Sequence, residues 1–376
     1  SLELMKKSYK IKKKEEKKEK KKKLSFFCCI TYIDTSYHTR CKKMFLFLIT
    51  LLFITNIASS SNINCVNNII PTLHGTSKTA LICYPTNTNT INNSTKFPLH
   101  IFAHGNGAGG NVIKVYTSLL HAIASSGFVV AAYTSCVIDS HCYNGETQFL
   151  ELIKTVQYLE TTQSNITNKI DFSLPYSASG HSTGARAVLM LAAAADNPSY
   201  LANISYINLT QEDRKTISKI TSIVADHPDP MYDPKQNPDI INYHITKMPT
   251  MLVTGSLDFR PIGEPVNAAW KDWLLMSKLP NKVFLNVKGA THLNPIFSHL
   301  EAPYLVAFVQ YHSLGNVTAG EIIYGNATHS LVQQHQLYSN TSTINNGGMK
   351  KDIGFLACGG FHRKNALPSK YQKYCV

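Results

Sequence analysis

Gly180-His181-Ser182-Thr183-Gly184 places a serine at the centre of a G-x-S-x-G pentapeptide. A short apolar run, Tyr176–Gly180, precedes it and a helical run from Gly184 to Ala195 follows. A sharp strand-to-helix turn would lift the Ser182 hydroxyl out of the sheet edge and aim a helix N-terminus at a developing negative charge. The chemistry is nucleophilic attack on an acyl carbonyl, and it needs a base, an acid behind the base, and N–H donors for the oxyanion. His292, in Gly289-Ala-Thr-His292, supplies the base, and Asp258, after the run Thr250–Gly255, supplies the acid. Ser182, Asp258 and His292 thus occur in the chain order of a nucleophile-elbow hydrolase. Asp226, at the end of the preceding apolar run, is the reserve acid.

His104-Gly-Asn-Gly-Ala-Gly-Gly110 follows the run Leu99–Ala103 directly. Small residues let backbone N–H groups approach substrate, so this reads as the oxyanion loop, with the N–H groups of Asn106 and Thr183 as donors. His104 is expected to hold the loop rather than act as a base. A phosphate-binding loop is the competing reading, but the G-K-[ST] ending of such a loop is absent. Neither a cysteine–histidine cluster with zinc spacing nor a nucleotide fingerprint appears, so no metal and no cofactor are expected.

These residues need a sheet whose strands end on one edge. Apolar runs at Thr79–Cys83, Leu99–Ala103, Phe128–Tyr133, Tyr176–Gly180, Ile220–Ala225, Thr250–Thr254 and Lys282–Val287 alternate with helical patterns. The helices are expected at Val112–Ser125, Gln148–Thr162, Gly184–Ala195, Pro265–Met276 and Leu300–His312. That alternation predicts an α/β fold with a mostly parallel central sheet flanked by helices and without a cap domain. The segment between Ala195 and Ile220 is polar and has room for one short helix, Thr210–Ser218.

The net charge of +14 is unevenly placed. Residues 1–43 carry +10 of it, largely in the Lys/Glu run from Lys6 to Lys23, leaving +4 for residues 44–376. Such a run cannot bury a core, and the folded part lacks the basic face of a nucleic-acid binder. Lys42-Lys43-Met44, the apolar run Phe45–Ile54 and Ala58-Ser59-Ser60 form a signal-peptide pattern over 44–60. The expectation is that Met44 is the natural start, that residues 1–43 are upstream sequence read in frame, and that the product is secreted. A signal anchor with a basic cytoplasmic tail is the alternative, although the apolar run is short for a membrane span. Six cysteines follow the signal: Cys65, Cys83, Cys136, Cys142, Cys358 and Cys375. Closeness along the chain favours pairing 65–83, 136–142 and 358–375, among 15 possible connectivities. Sequons at Asn92, Asn93, Asn165, Asn203, Asn208, Asn316, Asn326 and Asn340 predict a glycosylated surface. One catalytic domain over 62–313 is expected, with the tail 314–376 stapled to it by disulfide.

Together, Phe102-Ala-His-Gly-Asn106, Gly180-His-Ser-Thr-Gly184, Leu252–Asp258 and Gly289-Ala-Thr-His292 resemble the lidless α/β-hydrolases. That group includes dienelactone hydrolases, chlorophyllases and cutinase-like polyester hydrolases, and the resemblance covers about Leu99 to His312. It implies a serine-dependent carboxylic ester hydrolase acting on a small or polymeric ester; a monomer is expected. Substrate contacts carried over from the polyester hydrolases fall on Asn106, where those enzymes have an aromatic, and on His227, where they have a tryptophan. A C-terminal disulfide like Cys358–Cys375 also belongs to that resemblance. A serine peptidase of the same fold and a non-catalytic binding protein of that fold are the competing functions.

Overall fold

The computed structural model describes residues 62–71, 77–86, 95–106, 110–133, 146–199, 208–228, 241, 244–258, 269, 273–287, 289–297, 300–324 and 355–358. The basic segment, the signal-like segment, Cys136, Cys142 and Cys375 lie outside these residues.

Among the described residues nine strands form one sheet: β1 (Asn62–Pro71), β2 (Ser77–Thr86), β3 (Leu99–Ala103), β4 (Val129–Ala132), β5 (Tyr176–Ser182), β6 (Ile220–Pro228), β7 (Thr250–Gly255), β8 (Lys282–Val287) and β9 (Phe355–Cys358). Their spatial order is β1-β2-β4-β3-β5-β6-β7-β8-β9. The stretch from β4 to β8 is parallel, while the β1–β2, β2–β4 and β8–β9 pairings at the two edges are antiparallel. The helices are α1 (Thr117–Ser125), entered through a 3-10 segment Gly110–Tyr116, α2 (Glu146–Thr161), α3 (Thr183–Asp196), α4 (Gln211–Ile217), α5 (Asn294–Phe297), α6 (Ala302–Leu314) and α7 (Val317–Tyr324).

Side chains alternate between the two faces of the sheet, as the strand period demands. Leu99, Ile101, Val129 and Ala131 face one core with Phe149, Val156 and Leu191 from α2 and α3. Phe102, Val130 and Ala132 face the other, with Leu119, Ile123, Phe308 and Ile323 from α1, α6 and α7. Burial on both faces explains why these strands read as continuous apolar runs. α3 is buried along nearly its whole length, which its alanine-rich sequence permits.

Seven expected strands lie where the sequence puts them, some a few residues longer and β4 one residue shorter at each end. Two strands, β1 and β9, are additional to those expected from the sequence. β1 is rich in asparagine and pairs along its length with β2, where Cys65 stands opposite Cys83 and is bonded to it. β9 pairs with β8. Beyond residue 313, α7 packs on α6 and β9 extends the sheet. One compact unit runs from Ser61 to Val376. The expected helix over Pro265–Met276 falls mostly outside the described residues, with Ala269 and Trp273–Leu275 helical. α4 opens with a capping box in which Thr210 and Asp213 satisfy each other's backbone N–H. Among the described residues, no helix is long and apolar enough to cross a membrane.

Candidate active site

β5 ends at Ser182, which has φ 58° and ψ −120°, a strained conformation for a residue with a side chain. α3 begins at the next residue. The turn is tight enough to fix both flanking glycines. A Cβ on Gly180 would stand 2.2 Å from the Gly184 carbonyl oxygen, and one on Gly184 would stand 2.2 Å from the Ala103 oxygen. Only bare backbone passes there, so the pentapeptide is a steric requirement of the elbow.

The Ser182 hydroxyl lies 2.9 Å from His292 Nε2 and can donate to it when that nitrogen is unprotonated. His292 sits in the loop after β8, just before α5. Its Nδ1 faces Asp258, 3.4 Å and 3.5 Å from the two carboxylate oxygens. That contact is long, as resting catalytic hydrogen bonds often are. The acid and histidine loops are tied by the Leu257 N–H, which donates to the Ala290 carbonyl at 2.9 Å. All three side chains are nearly buried, so charge interactions among them are weakly screened. Of the two expected oxyanion donors, Thr183 is buried at the start of α3 and Asn106 is an exposed turn residue. His104 is buried beneath the loop with Nδ1 2.8 Å from the Gly105 carbonyl, and burial lowers its pKa to about 4, so it is neutral at pH 7.

His181 has a role that the pentapeptide alone does not reveal. Its Nε2–H donates to the His292 carbonyl at 2.7 Å, and its Nδ1 accepts from the Tyr116 hydroxyl at 2.7 Å. That hydroxyl in turn accepts from the Gly105 N–H at 3.0 Å. Burial first, then the neighbouring imidazoles of His292 and His227, holds the His181 pKa well below the ordinary value. The neutral ring this implies is the form that can donate from one nitrogen and accept at the other.

A second imidazole–carboxylate pair adjoins the first. His227 Nδ1 lies 2.7 Å from Asp226 Oδ1, both side chains being fully buried. His227 has φ 46°, because the register of β5 with β6 shifts here: His181 pairs with Asp226 but Ser182 pairs with Pro228, leaving His227 as the extra residue of a bulge. Its ring is 6.4 Å from that of His292. Burial opposes charge on His227, but the carboxylates of Asp226, Glu301 and Asp258 outweigh it and the pKa rises. Glu301, buried at the start of α6, accepts from the Asn294 side chain, and burial followed by the Asp226 charge raises its pKa to about 8. Tyr116, Asn294 and Glu301 carry no sequence signal, since only the folded chain brings them to the motif residues.

Cys65, Cys83 and His121 form the one group among the described residues close enough to share a metal ion. Its two sulfurs are spent in the disulfide and are not thiolate ligands.

The strand order, the strained elbow serine and the histidine and carboxylate after β8 and β7 are those of the α/β-hydrolase fold. Residues 54–139 match the family model of platelet-activating factor acetylhydrolase, isoform II. The matched stretch runs through β1–β4 and the glycine-containing loop after β3 and ends before Ser182. No curated protein matches the chain. The fold and this likeness support a serine-dependent ester hydrolase.

Proposed function

We propose that the protein is a secreted carboxylic ester hydrolase working through an acyl-enzyme on Ser182. The observation that carries the reading is the 2.9 Å contact between Ser182 Oγ and His292 Nε2 at a backbone-strained elbow. Ser182 Oγ attacks the acyl carbonyl while His292 Nε2 takes its proton. Asp258 stabilises the imidazolium, and the N–H groups of Thr183 and Asn106 receive the oxyanion. Collapse expels the alcohol, which takes the proton back from His292. Water then repeats the sequence on the acyl-enzyme and releases the acid. The likeness to an acetylhydrolase family favours a short acyl group on a lipid-like alcohol over a cutin-like polyester.

A fluorophosphonate probe should label the wild-type protein once, on the peptide containing Ser182, and leave Ser182→Ala unlabelled. Labelling that persists in Ser182→Ala would overturn the assignment. Rates on acetyl and longer-chain esters of one alcohol then test the short-acyl preference.

A further inference from the structure

Cys65 of β1 and Cys83 of β2 stand directly opposite in the antiparallel ladder and are joined by a disulfide. His121 lies on α1, which packs over both strands, and brings a ring nitrogen within 4.8 Å of both sulfurs. Cys83 is buried, while Cys65 and His121 are half-buried. Among the described residues the His121 imidazole makes no hydrogen bond or ion pair, and no carboxylate belongs to the group. Three elements thus bring two sulfurs and one imidazole to a single point at the β1 edge of the sheet. While the disulfide stands, the sulfurs offer no thiolate, and reduction changes that ligand set. Two thiolates and a neutral imidazole carry a charge that one divalent cation cancels, and such ligands select Zn²⁺ over Mg²⁺ or Ca²⁺. Tetrahedral Zn²⁺ bonds at about 2.3 Å to sulfur and about 2.0 Å to nitrogen, so its ligand atoms lie about 3.6–3.8 Å apart. The freed cysteines reach that spacing by rotating about Cα–Cβ, and His121 by closing about 1 Å. Water takes the fourth position.

We propose that Cys65, Cys83 and His121 form a redox-gated zinc site, closed by the disulfide in the oxidised protein and opened by its reduction. A dithiol reductant breaks the S–S bond, passes one hydrogen to each sulfur and leaves as its own disulfide. Zn²⁺ then displaces both thiol protons. Disulfide and metal exclude each other. Each ties β1 to β2, and the metal also ties in α1. The site lies apart from Ser182, so its failure would leave the ester-hydrolase reading untouched.

The test measures Zn²⁺ bound per chain before and after reduction by a water-soluble phosphine, which leaves as its oxide with an oxygen from water and is removed by desalting. Reduced wild type should hold one Zn²⁺ more than the reduced double variant Cys65→Ser/Cys83→Ser, a comparison that cancels binding at the other cysteines and histidines. Before reduction the two proteins should bind equally. His121→Ala should weaken that Zn²⁺ by about 100-fold or more, since even the neighbours that orient a ligand are worth about 10–100-fold. Mg²⁺ should not compete, and Zn²⁺ should raise the denaturation midpoint of the reduced wild type. Equal Zn²⁺ content in the reduced proteins, unchanged affinity in His121→Ala, or displacement by equimolar Mg²⁺ would overturn the site. Should reduction unfold the chain, the readout becomes recovery of the native circular dichroism on adding Zn²⁺. Recovery in wild type but not in His121→Ala supports the site, and recovery in both or in neither overturns it.

Discussion

The imidazole of His181 donates to the backbone carbonyl of His292 at 2.7 Å, so the residue before the nucleophile holds the loop that carries the base. Through Tyr116 the same ring also reaches the Gly105 N–H of the loop after β3. Three loops from distant parts of the sequence are thus joined by two side chains buried beneath the elbow.

Tyr116→Phe should break that link. It strands the Gly105 N–H and His181 Nδ1 in a dry interior, at a cost of about 1–3 kcal/mol. Urea unfolding should show the loss as a lower midpoint with an unchanged slope. The kcat for a neutral ester should fall by about tenfold as the oxyanion and histidine loops lose their common anchor. Wild-type values for both would mean that the relay is idle.

The two buried carboxylates near the histidines should respond differently to amidation. Asp258→Asn should lower kcat by about 10³–10⁴-fold, because the amide no longer stabilises the imidazolium or fixes its tautomer. Asp226→Asn should cost less, since Asp226 is committed to His227 at 2.7 Å. The reverse order of effects would move the catalytic acid to Asp226, whose Oδ2 is buried without a partner.

The legibility of these residues in the sequence follows their locality. Leu99–Ala103 and Lys282–Val287 were readable to the residue because strands covered on both faces are apolar throughout. Ser182, Asp258 and His292 were readable because each follows such a run on the same sheet edge. β1 was not: Asn62, Asn64, Asn67 and Asn68 give no apolar period, and an edge strand held by one partner and a disulfide needs none. His227 was marked only as a substrate contact, whereas its pairing with Asp226 depends on the bulge opposite Ser182. Tyr116 lies 65 residues from His181, to which it is hydrogen-bonded, and Glu301 lies 75 residues from Asp226, whose charge acts on it, and spacing carries no trace of such relationships.

Replacing Cys65 and Cys83 together with serine should lower stability by about 3 kcal/mol, the loop-closure value for a separation of 18 residues. The bond joins the two outermost strands at the β1 edge, well away from β5 in the sheet order. The folded fraction should therefore keep its turnover at 25 °C while its denaturation midpoint drops. A parallel loss of kcat at full occupancy of the folded state would contradict that separation of roles.

Glu301 predicts how stability varies with pH. Its folded pKa of about 8 lies above the ordinary value of 4.5, so the folded state binds this proton more tightly than the unfolded state. Its contribution is full below about 4.5 and is lost as pH rises through about 8. Glu301→Gln, which keeps an amide for Asn294 and never ionises, should flatten that decline. Its advantage over wild type should grow between pH 5 and pH 9, by an amount of the order of a few kcal/mol. Unfolding midpoints across that range decide the matter; parallel curves for the two proteins would remove Glu301 as their cause.

Substrate access should not require a lid to open. Between α3 and β6 the described helix is α4, seven residues with Glu212, Arg214 and Lys215 among them, and it offers no broad apolar underside. The rim beside the acid and the base is apolar instead: Leu257 is 56% exposed, Leu293 44%, Phe297 76% and Leu300 49%. An uncovered site turns over dissolved esters, and an apolar rim gains further contact when the ester lies in a lipid surface. Tributyrin should therefore be hydrolysed below its solubility limit, with a gradual rather than abrupt rise above it. Phe297→Asp should lower the rate on emulsified ester several-fold and change the rate on dissolved ester by less than about twofold, because Phe297 is not one of the contacting residues Ser182, His292 and Asp258, and burying a charge in an apolar layer is unfavourable. An abrupt jump at the solubility limit, with almost no hydrolysis below it, would show that Ser182 is covered in solution and uncovered at the interface.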